Sequence, residues 1–311
     1  MLRWNTTGIT VAGIVGNPGN ANNQLNTPFD VILDYANNLY IADRANHRIQ
    51  KYSLGASIGK TVAGNGTIGS SQYQLYNPSR VIIDLNGNFY ISDTYNHRIQ
   101  FWRNGAVSGT IVAGITGPCG NANNQLCTPY GIAPHPTSGT LYMSDYSNHR
   151  IMSYTFGANN GTLVLGGNGP GTNNTQLSSP VGLHFNSFSN SLVITNSAAN
   201  NIVRHISGMS GWTLVAGNIN GSSGTASTRL FYPTDVTFDP MGNMYVADSS
   251  NHRIQFFYAD HLNDTTIAGM SGVVGNNATT LNEPRSVKLD SQLNLYVVDT
   301  FNSRIQNFLR Y

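Results

Sequence analysis

Short apolar runs of four to six residues alternate along the whole chain with clusters of glycine, asparagine, aspartate and proline. The runs are rich in β-branched and aromatic residues, as in residues 39–42 and 89–92. Runs of this kind are typical of β-strands bounded by turns, and no segment keeps the 3.6-residue period of an amphipathic helix. The pattern therefore predicts an all-β protein.

One polar phrase, Asn-His-Arg-Ile, recurs between the second and third apolar run of each unit. Intact copies begin at positions 46, 96, 148 and 251, and altered copies begin at 199 and 302, so the spacing is 50 to 52 residues. This period covers residues 1–311 and indicates a single domain built from one repeated unit. Six units of four short strands predict a six-bladed β-propeller with four-stranded antiparallel blades.

The fourth run of each unit predicts how the ring closes. This run reads Thr-Val-Ala-Gly or similar and follows the phrase in the first five units, but the last unit ends after its third run, at Tyr311. The missing copy occupies residues 10–13, near the other end of the chain. We therefore expect the N-terminal strand to complete the last blade, so that no blade edge is left exposed.

The chain resembles the NHL-repeat family in three features. The Asn-His-Arg-Ile phrase follows an apolar run that ends in Ala-Asp or Ser-Asp, and a Thr-Val-Ala-Gly run comes after the phrase. A Gln-Leu-x-x-Pro motif then occurs at residues 24–28, 74–78 and 125–129. The resemblance covers essentially all of the chain. It implies a six-bladed propeller, which is usually a platform for binding protein, RNA or other ligands. Some relatives with similar blades are enzymes, such as the lyase that completes peptide amidation and lactonase-like hydrolases. Fold alone does not choose between these functions.

Composition and charge narrow the classes of partner. Charged residues make up only 10% of the chain and the net charge is +2. Because the basic residues form no clustered face, we predict no nucleic-acid partner. No apolar run approaches the ~20 residues needed to span a bilayer, so we predict no membrane insertion. No signal peptide follows Met1, so the signal of a secreted form would lie outside this sequence.

Sixfold recurrence indicates that the polar phrase has a structural role, because an active site needs one asymmetric group of residues. We expect Asp43 and its equivalents to cap the turn between the second and third strands. Asn46 is expected to take the left-handed conformation, and Arg48 to bond neighbouring backbone or a carboxylate. The fourth unit departs from the pattern and predicts a less firmly tied blade, because the Asp, Asn and Arg positions hold Asn196, Ala199 and Asn201.

Candidate catalytic and metal-binding chemistry is sparse. The resemblance to the amidation lyase would place zinc-binding histidines directly after the first-strand prolines, but these positions hold Phe29, Ser79, Tyr130, Val181, Thr234 and Arg285. The chain also lacks the common zinc, calcium and nucleophilic-serine motifs. We therefore predict no catalytic residue, metal or cofactor. The alternative is a propeller enzyme, a hydrolase or lyase, with a hard metal ion in the central channel near Asp30 and Asp235.

The two cysteines stand at the ends of one loop. Residues 119–127 match residues 18–26 of the first unit except at both ends, which are cysteine in the third unit. We predict a Cys119–Cys127 disulfide and hence an oxidising, extracellular location, with two reduced buried thiols as the alternative.

Seven sequons, about the number expected by chance, fall in predicted connections and would carry glycans in a eukaryotic secreted protein: Asn5, Asn65, Asn160, Asn173, Asn220, Asn263 and Asn277.

The face that carries the blade-to-blade loops is the predicted binding face. In an up-and-down blade, the turns between the second and third strands emerge on the same face, and long loops on a rigid scaffold often carry function. Aromatic and charged residues vary there and suit a protein or glycan ligand: Phe29, Asp30, Arg80, Tyr130, Asp235, Arg285, Arg44, Tyr95, Tyr146 and Phe301. We predict a non-catalytic extracellular binding or structural scaffold, whose low charge is also compatible with assembly into a homo-oligomer.

Overall fold

A computed structural model describes residues 2–259 and 264–311 of the protein. Within these residues, 24 strands form six sheets of four antiparallel strands, and in five of the sheets the strands follow sequence order. The first strands of successive sheets are neighbours around a central channel. The six-bladed propeller predicted by the repeat is therefore confirmed.

The blades are numbered in chain order, and each starts with the strand next to the channel. Blades 1 to 3 contain β2 (Asp30–Leu33), β3 (Leu39–Asp43), β4 (Arg48–Tyr52), β5 (Lys60–Ala63), β6 (Arg80–Ile83), β7 (Phe89–Asp93), β8 (Arg98–Trp102), β9 (Thr110–Gly114), β10 (Pro129–Pro134), β11 (Thr140–Asp145), β12 (Arg150–Thr155) and β13 (Thr162–Gly166). Blades 4 and 5 contain β14 (Pro180–Asn186), β15 (Ser191–Asn196), β16 (Asn201–Ile206), β17 (Thr213–Gly217), β18 (Pro233–Phe238), β19 (Met244–Asp248), β20 (Arg253–Phe257) and β21 (Asp264–Gly269). Blade 6 contains β22 (Pro284–Leu289), β23 (Leu295–Asp299), β24 (Arg304–Phe308) and β1 (Ile9–Gly13).

The N-terminal strand β1 closes the ring, as predicted. It pairs antiparallel with β24, so that Ile9 lies opposite Asn307 and Gly13 lies opposite Arg304. Trp4 reinforces the closure, because its indole Nε1 donates to the carbonyl of Leu293 at 2.8 Å and its ring is buried against blade 5. The two ends of the chain are therefore joined both by a strand ladder and by an aromatic anchor.

The hydrophobic core is divided into layers between neighbouring blades. In one layer, Tyr40 and Ile49 of blade 1 pack with Val81 and Phe89 of blade 2. Equivalent clusters lie between other neighbouring blades. Each sheet is too small to bury its own apolar faces, so the ring becomes stable only when the blades stack.

The polar phrase forms a tight turn after the second strand of each blade, and its details correct two expectations. The 3₁₀ turn of blade 1 covers Arg44–Asn46, and the left-handed residue is His47 (φ 53°), not Asn46. The Asn46 amide instead bonds the Asp43 carboxylate and the Gly19 carbonyl. The Asp43 side chain makes no capping hydrogen bond to the turn. Its Oδ1 instead accepts the backbone N–H of Asn26 at 2.7 Å. The equivalent turns are Thr94–Asn96, Tyr146–Asn148, Ser197–Ala199, Ser249–Asn251 and Thr300–Asn302.

The phrase arginine ties the incoming blade-to-blade loop to the blade, as predicted. Arg48 Nε donates to Asp43 at 2.8 Å, and its Nη atoms donate to the carbonyls of Asn20, Ala21 and Gln24. Blade 4 has Asn201 in place of this arginine and has fewer ties. Asn201 Nδ2 donates to the Asn218 carbonyl at 3.1 Å, while its buried Oδ1 has no partner among the described residues.

In blades 1, 2, 3 and 5, the phrase histidine links the blade to the next one. His47 Nδ1 accepts the backbone N–H of Asn77, and His97 Nδ1 accepts that of Thr128, both at 3.1 Å. The residues that donate these N–H groups directly precede the first-strand prolines and have positive φ values near 50°. Blade 4 uses the amide oxygen of Asn200 for the same bond, at 2.9 Å to the N–H of Tyr232. The histidine therefore fixes the pre-proline residue that borders the channel mouth.

Candidate ligand-binding site

A bowl of about 420 Å³ lies over the channel on the face of the turns and blade-to-blade loops. We call it the central bowl, and it is lined by Thr27, Phe29, Arg44, Tyr130, Tyr146, Val181, Tyr232, Ser250, Glu283, Arg285, Thr300 and Phe301. These residues belong to the pre-proline and post-proline positions and to the 3₁₀ turns. Its volume is within the range of small-ligand pockets, which is ~300–1,000 Å³.

The structure separates the ten predicted site residues into two layers. Six of them line the central bowl: Phe29, Arg44, Tyr130, Tyr146, Arg285 and Phe301. Tyr95 lies beside the bowl in contact with Arg44. Asp30, Arg80 and Asp235 are buried in the channel and are paired with one another.

Aromatic side chains form one continuous wall of the central bowl. The ring centroids of Phe29 and Tyr130 are 5.3 Å apart, and those of Tyr130 and Tyr146 are 5.0 Å apart. The hydroxyl oxygens of Tyr146 and Tyr232 are separated by 2.6 Å. Burial raises the pKa of Tyr130 and of Tyr232, so both hydroxyls remain protonated at neutral pH. The wall therefore combines flat apolar surface with hydroxyl donors.

Arg44 enters this wall as a cation held by aromatic rings. Its guanidinium carbon lies 5.3 Å from the centroid of Phe29 and 5.5 Å from that of Tyr95. Nη2 is 3.3 Å from the Tyr95 hydroxyl and 3.5 Å from the Tyr130 hydroxyl, and the buried Nε has no acceptor among the described residues. Arg44 is thus positioned by rings and hydroxyls rather than by a carboxylate.

Arg285 also lines the bowl but has a different environment from Arg44. Its guanidinium carbon is 5.8 Å from the centroids of both Phe29 and Tyr232. Arg285 also forms an ion pair with Glu283 at the rim. The two arginines therefore share the Phe29 ring, but only Arg285 has a counter-charge.

Beneath the bowl, two carboxylates and two cations neutralise each other. Arg80 Nη1 lies 3.2 Å from Asp30 and 2.9 Å from Asp235, and Lys288 pairs with Asp235. The Ser286 hydroxyl lies 2.8 Å from Asp30 and 2.7 Å from Asp235. Burial alone would raise the pKa of Asp235, but Arg80 and Lys288 lower it to about 2. This cluster connects blades 1, 2, 5 and 6 across the channel.

The channel carboxylates do not fit the metal ion of the enzyme alternative. The oxygens that would bind a hard cation already accept bonds from Arg80, Lys288 and Ser286, and a cation there would face two positive side chains. Among the residues the structure describes, no group of three or more His, Cys, Asp and Glu side chains could hold a metal. Burial and the nearby Lys288 also lower the pKa of the channel-lining His184 to about 4.

Some residues of the site were missed from the sequence. Tyr232, Glu283 and Thr27 directly precede the first-strand prolines, whereas the sequence prediction named residues after these prolines and in the turns between the second and third strands. The pre-proline residues also vary between units, with only threonine occurring twice, so the same test of variability between copies would have included them. Lys288 was also missed. It lies two residues after Ser286 on β22, and because alternate residues of a strand point to the same side, both side chains point into the channel. This alternation along the first strand could have identified Lys288 from the sequence.

The disulfide joins Cys119 to Cys127, and the described residues contain no free cysteine. Six sequon asparagines are exposed and lie outside the strands: Asn5, Asn65, Asn160, Asn173, Asn220 and Asn277. The seventh, Asn263, lies outside the described residues. No helical segment of the described chain has the length and apolar character to cross a membrane.

Known proteins similar to this chain share its repeat and its fold. The NHL repeat family matches residues 232–257. The NHL repeat-containing protein 2 of Bos taurus is 41% identical over 88 residues, which are 26% of this chain and only 12% of the relative. An auxiliary nutrient binding protein from Bacteroides ovatus superposes with a TM-score of 0.72 and 14% identity, over 100% of this chain and 78% of its own. A gluconolactonase from Xanthomonas campestris superposes with a TM-score of 0.67 and 10% identity, over 100% and 98% of the two chains.

Proposed function

Because this chain is a six-bladed propeller of the NHL-repeat family, we propose that it is a non-catalytic binding module that holds its ligand at the central bowl. The observation that carries the proposal is the wall of Phe29, Tyr130, Tyr146 and Tyr232 with two arginines set into it. This arrangement supplies contact area and orientation. The ionisable groups below it are neutralised by one another, so they are poorly placed to transfer protons.

The composition of the bowl favours a protein partner over a glycan. Tyrosine and arginine are the residues most enriched in the energetic centres of protein interfaces, and Tyr146, Tyr232, Arg44 and Arg285 lie together at the middle of the face. The surrounding blade-to-blade loops would supply the outer contacts that exclude water. A glycan remains the second ligand class, because hydroxyl donors and flat rings also suit a sugar.

We propose an extracellular location on the basis of the Cys119–Cys127 disulfide and the exposed sequons. We expect glycans on several of these asparagines when the protein is secreted by a eukaryotic cell. Mass spectrometry of peptides from the natural source would measure both modifications. Free thiols together with unmodified sequons would contradict the proposal.

Binding is tested with displayed random peptides and with a glycan array, because the natural ligand is unidentified. We expect wild-type protein to select ligands whose binding is lost in Tyr146→Ala. The control is Ile111→Ala, since Ile111 is 46% exposed on β9, the outermost strand of blade 2. Ligands that bind both variants equally would contradict a site at the bowl. A stoichiometric, tightly held metal in the purified protein would support the enzyme alternative instead.

The face opposite the bowl favours self-association as a second function. Apolar residues at the tips of its turns are strongly exposed, including Tyr35 at 95%, Leu85 at 87% and Phe188 at 100%. We propose that this face contacts a second copy of the chain, since the net charge of +2 opposes such contact only weakly. Sedimentation velocity should show an oligomer that Phe188→Ser and Tyr35→Ser dissociate. A wild-type monomer at high protein concentration would refute this assembly.

A further inference from the structure

The central bowl carries one positive charge that no acidic side chain of the bowl balances. Its lining contains two cations, Arg44 and Arg285, and one anion, Glu283. Glu283 pairs with Arg285, whereas Arg44 bonds only tyrosine hydroxyls among the described residues. A guanidinium held between rings, whose Nη1 makes no hydrogen bond among the described residues, has unused capacity to bind an anion.

The two guanidinium groups can serve the same incoming group. Both lie within 6 Å of the Phe29 ring, at 5.3 Å for Arg44 and 5.8 Å for Arg285, and both line the same bowl. The Arg44 side chain is partly buried and braced by Phe29 and Tyr95, so little of its conformational freedom remains to be lost on binding. The cation is therefore organised before the ligand arrives.

We propose that the bowl receives the carboxylate of an aspartate or glutamate side chain from a protein partner, with Arg44 as its main anchor and Arg285 at its side. This inference rests on the proposed function, because it names the group that the binding site recognises. The planar fork of arginine matches a carboxylate with two parallel hydrogen bonds. The neighbouring Tyr146 and Tyr232 rings would contact an apolar residue next to the acid.

The charge of the bowl favours a single carboxylate over a polyanion. One uncompensated cation balances one carboxylate, whereas a phosphate dianion or an acidic polymer would bring additional charge close to Glu283. Like charges brought together at a poorly solvated site are destabilising. The bowl is therefore matched in charge to one acidic side chain on an otherwise neutral surface.

The test uses short random peptides displayed on phage, selected on the wild-type protein. We expect enriched peptides to contain an aspartate or glutamate beside an apolar residue. Changing that acid to its amide should weaken binding to wild type roughly tenfold or more, since charge-assisted bonds are at stake. The same change should have little effect on binding to Arg44→Gln, as a double-mutant cycle would show.

Control measurements separate this inference from the proposed function. Arg103→Gln removes an exposed arginine on the opposite face and should leave binding unchanged, and melting temperatures would confirm that each variant folds. Peptides that require Tyr146 but ignore the charge of Arg44 and Arg285 would overturn the inference and leave the proposed function standing. Acidic glycans that bind through Arg44 when no peptide does would overturn the choice of a protein partner. Absence of any bowl-dependent ligand would overturn both.

Discussion

Acidification should destabilise the ring through the four phrase histidines. His47, His97, His149 and His252 each accept, through Nδ1, a backbone N–H of the next blade at 3.0 to 3.1 Å. A protonated imidazole has no lone pair on Nδ1 and cannot accept this bond. Protonation would therefore break the polar link between blades and leave a backbone donor without its partner.

The sign of the pH effect follows from the direction of the pKa shifts. Burial lowers the pKa of all four histidines, and nearby carboxylates such as Asp93 and Asp145 oppose this only partly. Below the ordinary histidine pKa of about 6.5, the unfolded chain binds more protons than the folded chain. The contribution of these residues to stability is therefore complete above that pH and is lost as the pH falls through the lowered values.

The size of the effect can be estimated from the bonds that break. One internal hydrogen bond contributes about 1 kcal/mol, so four links together contribute about 4 kcal/mol. That sum is a large part of the ~5–15 kcal/mol by which folded domains are stable. The half-buried residue His184 has its pKa lowered to about 4 by burial and by Lys288, and it adds a loss of the same sign at lower pH.

Blade 4 supplies the matched substitution for the test. Asn200 takes the same left-handed position, with φ 53°, and makes the same bond without titrating. Denaturant unfolding at neutral and mildly acidic pH should show that changing all four histidines to asparagine retains neutral stability and removes most of the pH dependence. The single variant His97→Asn should remove about 1 kcal/mol of the dependence. An unchanged pH dependence in the fourfold variant would refute the role given to these histidines.

Three further perturbations test the polar phrase, the ring closure and the disulfide. Arg98→Ala should cost about 3–5 kcal/mol because it leaves Asp93 buried without its cation; an unchanged melting temperature would reject this. Deletion of residues 2–13 removes β1 and the buried Trp4 and should prevent stable folding, so a deletion variant that melts like wild type would refute strand closure. Replacing Cys119 and Cys127 with serine should cost about 2–3 kcal/mol for a loop of this length. Equal stability of the oxidised protein and the serine variant would show that the bridge does not contribute.

The repeated features of the fold could be predicted because they depend on local sequence. Short strands, tight turns and the Asp–Arg pair recur within about 50 residues of chain, so each copy tests the others. The prediction failed within the turn itself. Three residues form the 3₁₀ turn, so the left-handed position falls on His47, and Asn46 is left free to bond Asp43. The hydrogen-bonding partner of Asp43, the N–H of Asn26, lies across the blade and could not be read from the turn.

The number of blades, the strand that closes the ring and the cysteine pair could all be predicted by comparing one repeat with the next. Which of the differing residues form a site depends on contacts between distant blades. Arg80 and Asp235 are 155 positions apart yet pair in the channel, and Arg44 meets Tyr130 from another blade. The physical reason is that repeats specify contacts within and between neighbouring blades. Side chains of blades that are not neighbours, such as Arg80 and Asp235, meet around the central axis, where closure of the ring brings distant blades together.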